Sequence, residues 1–571
     1  MRRLSLVSLT CSVFIAACAP APSRQPAAPI PTPAAPISGQ VVRTDPSITA
    51  ADLKSRLSIF AADSMLGRRT GTIGNGKATD YLAAALRSMG VEPAGENGTY
   101  FQTLPFTNWS LDTAAVPILD GQPLRRWTDF LQIPYLPDEL PYYSMGATFT
   151  DVPAVYGGGL GASDMLPPDQ AAGKIVIFGA PSSVTNVATE LATIPQRYAS
   201  AAAVAFPYLE YLDHSQLHFA VDDRLVLGKD APTGPVGLFI STGVAARLLG
   251  TQLGGATVGE GSGKLNGAVR FVAAPAQAPA RNVIGVIRGS DSALAREYVV
   301  LGAHNDHLGV ADQPVEHDSL RVFNEIVRPH GEDDPNRAAT AQEQRKILAI
   351  LDTLRRRHFP RPDSIYNGAD DDGSGSVALL EIAESVVKTN PKPRRSLLFI
   401  WHTGEEEGLF GSRYFTDNPT VPRDSMVAEI NVDMIGRGDS GDIEGGGPGY
   451  IQVIGSRRLS TELGNMVEQV NTDSGFGLKF DYQFDAPGHP QQYYCRSDHY
   501  MYARFGIPIA FFSTGDHVDY HQVTDEVEYI DFPKMARIAT YLRDLALRIA
   551  DLDHRVVVDQ PKPDPNAPCK Q

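Results

Sequence analysis

The groups best suited to chemistry in this chain stand directly after short apolar runs. "YVVLGAH" ends on His304, with Asp306 two residues on; "SLLFIWHTG" leads into Glu405, Glu406 and Glu407. "EINVDM" reaches Asp433, and "IPIAFFSTG" continues through "DHVDYHQ" to Tyr520 and His521. In "NGADDDGSGS", Asp371 precedes a Gly/Ser turn and a helical pattern. Taken singly, each reads as ordinary: a satisfied polar pair, a solvated loop, or an acidic first turn favoured by the helix dipole. Taken together they do not, because every apolar run that delivers them should be buried. Three adjacent carboxylates also repel, and gain stability only if positive charge sits among them. His and carboxylate donors without cysteine suit zinc in a catalytic site that keeps an open position. Only four cysteines occur, Cys11, Cys18, Cys495 and Cys569, too few and too scattered for a thiolate site. Residue types alone leave open which glutamate would bind and which would act as a base.

The elements that must position these groups form an alternating series after Ala280. "NVIGVIRG", "YVVLGAH", "SLLFIWHTG", "VAEINVDMIG" and "IPIAFFSTG" are apolar runs of strand length. Between them "SVALLEIAESVVKT", "TELGNMVEQVNTD" and "FPKMARIATYLRDLALRIADL" have helical spacing. Continuously apolar strands predict an α/β fold whose mixed, mostly parallel central sheet is sandwiched by helices. Ligand sites in such sheets lie outside the carboxyl ends of the strands, where the candidate groups fall. Residues 48–115 begin this domain with two helical patterns, and 279–555 complete it. Residues 116–278 have short β-like runs with Gly/Pro punctuation and read as a separate β-rich domain. An insertion at 311–366 interrupts the series and contains a helical pattern at "AATAQEQRKILAILDTLRRRH". The tail 556–571, "VVVDQPKPDPNAPCKQ", reads as disordered.

A net charge of −16 argues against nucleic acid as a partner, since binding there depends on clustered Lys and Arg. The start, "MRRLSLVSLTCSVFIAAC", joins a basic segment to an apolar run too short to span a membrane. It resembles a bacterial lipoprotein signal (1–17) that leaves a lipidated Cys18. A Pro/Ala-rich tether (18–47) follows, so the expected location is the cell envelope, with membrane contact through Cys18 alone. An ordinary secretory peptide is the alternative.

The order and context of "NVIGVIRGSD…EYVVLGAHNDHLG", "NGADDDGSGSVALLEIAE", "EEEGLFGSRYF", "NVDMIGR", "RSDHY" and "DYHQVTDE" resemble one family. It is the zinc-dependent aminopeptidase family that also holds glutamate carboxypeptidase, glutaminyl cyclase and the transferrin receptor ectodomain. The resemblance runs from about Ala51 to Ala550. The β-rich stretch is similar to a protease-associated domain, especially at "VYGGGLGASD…GKIVIFGAP".

The resemblance implies a zinc exopeptidase fold and two Zn2+ per chain. His304 and Asp433 would hold one zinc, Glu406 and His521 the other, and Asp371 would bridge both. Asp306 would orient the His304 imidazole. Glu405 would be the general base, taking a proton from the metal-bridging water and returning it to the leaving amine. Tyr520 would donate to the developing oxyanion, while Asp498 and His499 lie in a family motif without an assigned role. The implied activity is removal of N-terminal residues from peptides. Carboxypeptidase action, glutaminyl cyclisation and a non-catalytic receptor-like module are the alternatives. His307, His402, His489, His517 and His554 are expected to be structural or surface residues, as are His214, His218, His317, His330 and His358. The insertion is expected either to narrow the cleft or to bulge at the periphery.

Overall fold

The computed structural model describes residues 42, 44–133, 143–179, 193–212, 224–227, 234–274 and 276–571. The expected signal, Cys18 and all but the end of the tether lie outside the described residues, as do His214 and His218. No helix among the described residues is long and apolar enough to cross a membrane.

The five apolar runs all become strands of one sheet. Its four central strands, Ser396–His402, Tyr298–His304, Met426–Val432 and Ile509–Ser513, are mutually parallel in that order. Arg281–Ile287 pairs antiparallel with Ser396–His402 on one side, and Tyr450–Ile454 pairs antiparallel with Ile509–Ser513 on the other. Every residue of the four central strands is buried, which explains their largely apolar composition, with Glu429 and Asn431 as buried polar exceptions in Met426–Val432. In register, His304 pairs with His402, so two parallel strands end level with each other. Helices Ala50–Phe60, Ile73–Met89, Gly373–Lys388 and Phe532–Ala550 match the helical patterns and bury apolar faces. The first of these is pinned to the third by the ion pair of buried Arg56 with Glu381.

A second, ten-stranded sheet includes Phe106–Leu111, Gly146–Gly159, Ile175–Gly179, Ala203–Phe206, Val236–Ile240 and Lys264–Ala274. It thus takes in residues before 116, because "FTNWSL" pairs antiparallel with Lys264–Ala274. This sheet reaches the α/β part of the chain through Phe106, whose ring meets that of Phe410 edge-on at 5.2 Å.

The insertion is closed at its base by an antiparallel pair, Gly309–Glu316 with Pro362–Tyr366. It holds helices His317–Val327 and Ala341–Arg355, the second started by a capping box between Thr340 and Glu343.

The tail departs from its expected disorder. Cys569 forms a disulfide with Cys495, 74 residues away in sequence. Gln571 accepts from the Gly488 and Tyr494 N–H groups through its main-chain oxygen (3.2 Å) and Oε1 (2.9 Å). Its side-chain amide donates to the Phe484 and Ala486 carbonyls, both at 3.1 Å. A covalent bond and four hydrogen bonds outweigh a Pro- and Asp-rich composition.

Candidate metal centre

The three aspartates of "ADDDGSGS" divide into separate tasks. Asp372 caps helix Gly373–Lys388 by accepting from Gly375 N–H at 2.9 Å, and accepts from His304 N–H at 3.0 Å. Asp370 accepts from Gly436 N–H at 2.6 Å and faces His517 Nε2 at 3.2 Å. Both ties leave Asp371 as the one that turns to the cleft. Its own N–H is held by Asp525 Oδ2 at 3.1 Å. Asp371 Oδ1 lies 3.0 Å from His304 Nε2, and Oδ2 lies 3.2 Å from His521 Nε2. One carboxylate therefore faces two imidazoles from different loops.

On the first side, Asp433 Oδ1 is 3.6 Å from His304 Nε2, and its Oδ2 accepts from Ser497 Oγ at 2.8 Å. His304, Asp371 and Asp433 each offer a donor atom within 4.8 Å of the others. On the second side, Glu406 Oε2 is 3.0 Å from His521 Nε2. His307 belongs here too, with Nδ1 2.5 Å from Glu406 Oε1 and 3.8 Å from Asp371 Oδ2. The expectation that His307 is structural is corrected: His307, Asp371 and Glu406 form a second group with ligand spacing. The other described histidines stay apart from the ligand atoms. His402 meets Tyr502, His489 packs on Phe484, His554 pairs with Glu462, and His330 pairs with Asp334.

The donor set fits metal ions. Asp433 Oδ1 and His304 Nδ1 are buried without a hydrogen-bond partner, a costly state for groups with no further role. All five expected ligands come together, drawn from five segments, with Asp371 shared by both groups.

The glutamate triplet resolves in the same way. Strand Ser396–His402 ends, Gly404 takes a left-handed conformation (φ 73°), and the turn closes through the N–H groups of Gly408 and Leu409 on the Glu405 carbonyl. Glu407 stays out of the donor set and pairs with Arg69 at 3.3 Å on the cleft wall. Burial pushes the Glu405 carboxyl well above its usual range, with Asp433, Asp498 and Glu406 adding to the effect of burial and His304 opposing it. Burial and Asp371 push Glu406 up as well, yet His521 and His307 hold it down at about 2. Neighbouring carboxyls driven apart in this way suit a proton-transfer group beside a permanently ionised ligand.

Asp306 differs from its expected contact. Its Oδ1 is 3.8 Å from His304 Nδ1, beyond hydrogen-bond length. It accepts instead from Glu405 N–H at 3.2 Å and Thr70 Oγ1 at 3.0 Å. Tyr520 stacks on His521 with ring centres 4.0 Å apart, and its hydroxyl accepts from Arg496 at 3.1 Å. With that lone pair engaged, the phenolic proton is free to be donated elsewhere.

Asp371, Glu405, Glu406, Asp433, Tyr520 and His521 line a cleft of about 1170 Å³. Leu225 of the second sheet and Asn566–Cys569 of the tail line it as well, so its walls come from three parts of the chain. Sequence reading missed His307, Arg496, Ser497 and the tail. The "HNDH" spacing was the only available hint for the first.

Residues 282–546 match the model of Peptidase family M28. Leupeptin-inactivating enzyme 1 of Streptomyces exfoliatus is 31% identical over 159 residues, covering 27% of this chain and 32% of that protein. A probable leucine aminopeptidase of Trichophyton verrucosum is 28% identical over 222 residues, 38% of this chain and 57% of the relative. The chain thus spans a third to just over half the length of these relatives. An aminopeptidase structure from Aneurinibacillus sp. strain AM-1 superposes with a TM-score of 0.48 at 16% identity, covering 90% of this chain and 97% of that one.

Proposed function

We propose that the chain is a member of peptidase family M28, whose model matches residues 282–546, and that it is a zinc-dependent aminopeptidase with two metal sites. The observation that carries this reading is Asp371, whose two oxygens face His304 and His521 on opposite sides. His304 and Asp433 would hold one zinc, Glu406 and His521 the other, with Asp371 common to both. His307 contacts the other oxygen of Glu406, Oε1, and would orient that carboxylate. Bound zinc would lower the pKa of a coordinated water towards ~7 and polarise the scissile carbonyl.

The chain's own groups supply the rest. Glu405 accepts a proton from the attacking water and passes it to the leaving amine. Its raised affinity for that proton suits both halves of the task. Tyr520 donates its hydroxyl proton to the carbonyl oxygen as negative charge develops there. Asp306 sets the position of Glu405 through the backbone. The walls from Leu225 and the tail limit how a peptide can enter.

The test is a panel of aminoacyl, carboxy-terminal and N-terminal glutaminyl substrates, assayed with metal analysis. Cleavage of aminoacyl substrates alone, abolished by chelator, with close to two zincs per chain, is expected. One tightly held metal with cyclisation of glutaminyl substrates would overturn it.

The N-terminal sequence supports a further reading, that the protein is a lipoprotein of the bacterial envelope anchored through Cys18. Its β-rich part would be a protease-associated domain. Cys18→Ser should move the protein from the membrane to the soluble fraction; unchanged membrane association would sink this.

A further inference from the structure

The insertion 311–366 reaches the metal centre through one tight turn. Gly331–Asp333 forms a single 3-10 turn after helix His317–Val327. Gly331 has φ 58°, and a Cβ there would sit 2.4 Å from the Tyr520 carbonyl and 2.9 Å from that of His517. Only glycine lets the backbones approach so closely. Glu332 N–H donates to the Tyr520 carbonyl at 3.2 Å, and buried Asn324 donates to the Val518 carbonyl at 3.0 Å. The insertion is therefore bonded along the loop that carries Tyr520 and His521.

The two side chains that follow Gly331 diverge onto separate targets. Glu332 Oε2 accepts from His521 Nδ1 at 2.8 Å, on the opposite side of the ring from Asp371 and Glu406. Asp333 takes Arg496 in both prongs, Oδ2 to one guanidinium nitrogen at 2.6 Å and Oδ1 to the other at 3.0 Å. That second nitrogen also donates to the Tyr520 hydroxyl at 3.1 Å. A bidentate pair fixes a guanidinium in plane and direction, which a single contact cannot do.

We propose that the insertion is part of the catalytic apparatus rather than a peripheral bulge, with Glu332 as positioning residue for His521 and Asp333 as positioning residue for Tyr520 through Arg496. Glu332 fixes the tautomer of His521, leaving Nε2 to face the metal, as a carboxylate behind a ligating histidine does. Asp333 holds Arg496 where it occupies a Tyr520 lone pair and directs the phenolic proton into the cleft. This rests on the metal-dependent reading above.

Two readouts separate this from failure of that reading. Metal affinity is measured by chelator competition on Glu332→Ala and the near-isosteric Glu332→Gln, neither of which removes packing from the core. Glu332 is 58% exposed, so the expected loss for Glu332→Ala is at the low end for such partners, about tenfold. Glu332→Gln should recover part of it, because its amide oxygen still accepts from Nδ1. For Asp333→Asn, kcat should fall at least tenfold with KM within about twofold and metal affinity unchanged, since Tyr520 acts only as charge develops. Wild-type metal affinity in Glu332→Ala, or wild-type kcat in Asp333→Asn, would overturn the corresponding half. A wild-type protein that neither binds metal nor cleaves peptides would overturn the underlying reading instead.

Discussion

The backbone N–H of Glu405 donates to Asp306 Oδ1 at 3.2 Å. The same carboxylate is anchored by Thr70 from the turn before helix Ile73–Met89, so a bond between two distant loops sets where the glutamate pair sits. Glu405→Gln keeps the shape of this arrangement and removes the proton acceptor. Turnover should drop roughly 10²- to 10⁴-fold while metal content is unchanged. Kinetics with parallel metal analysis decide this, and loss of metal would exchange the roles of Glu405 and Glu406.

Ser497, which donates to Asp433, lies two residues after Cys495, and the disulfide ties that segment to the tail. Cys569→Ser should lower unfolding stability by about 2–4 kcal/mol, read from urea titration. Because Asn566–Cys569 line the cleft, KM for longer peptides should change while that for a short aminoacyl amide stays near wild type.

Arg68 is fully buried and donates to the carbonyls of Asn367 (2.5 Å), Gly368 (3.0 Å) and Phe60 (3.2 Å). Arg68→Met would keep much of the volume but take this donor from the Asn367 and Phe60 carbonyls, at about 1–3 kcal/mol each, while Gly368 would still accept from Gly373 N–H. Since Gly368 stands three residues before Asp371, weaker metal retention should accompany a lower melting temperature.

Glu316 caps the first helix of the insertion through Ser319 N–H, accepts from Arg361 N–H and pairs with Arg355. Burial would raise its pKa, but these partners hold it down at about 2, against an ordinary value near 4.5. A depressed carboxyl stabilises the fold above its unfolded pKa, and that contribution fades as pH falls from about 4.5 towards 2. The gap in melting temperature between wild type and Glu316→Ala should therefore be full at pH 6 and close as pH approaches 2. A constant gap would mean that the helix depends on something other than this charge.

How much of this could be read beforehand depends on the range of the cue. Strands such as Ser396–His402 announce themselves because burial on both faces demands an unbroken apolar run. Asp371, Asp433 and Glu406 follow from standing at the ends of such elements. His307 does not, since its partner Glu406 is 99 residues away and the "HNDH" spacing alone is a weak hint. Glu332 and Asp333 sit in a turn without periodicity, and only the folded chain shows that His521 and Arg496 meet them. Composition misjudged the tail because one covalent bond to Cys495 is invisible to it.

The tail has a practical side for anyone handling the protein. Its main-chain oxygen at Gln571 is bonded to Gly488, two residues past cleft-lining Cys569. A fluorophore or affinity tag joined at Gln571 would begin beside the residues that line the cleft. Measurements of binding or turnover on such material would report the label as well as the protein.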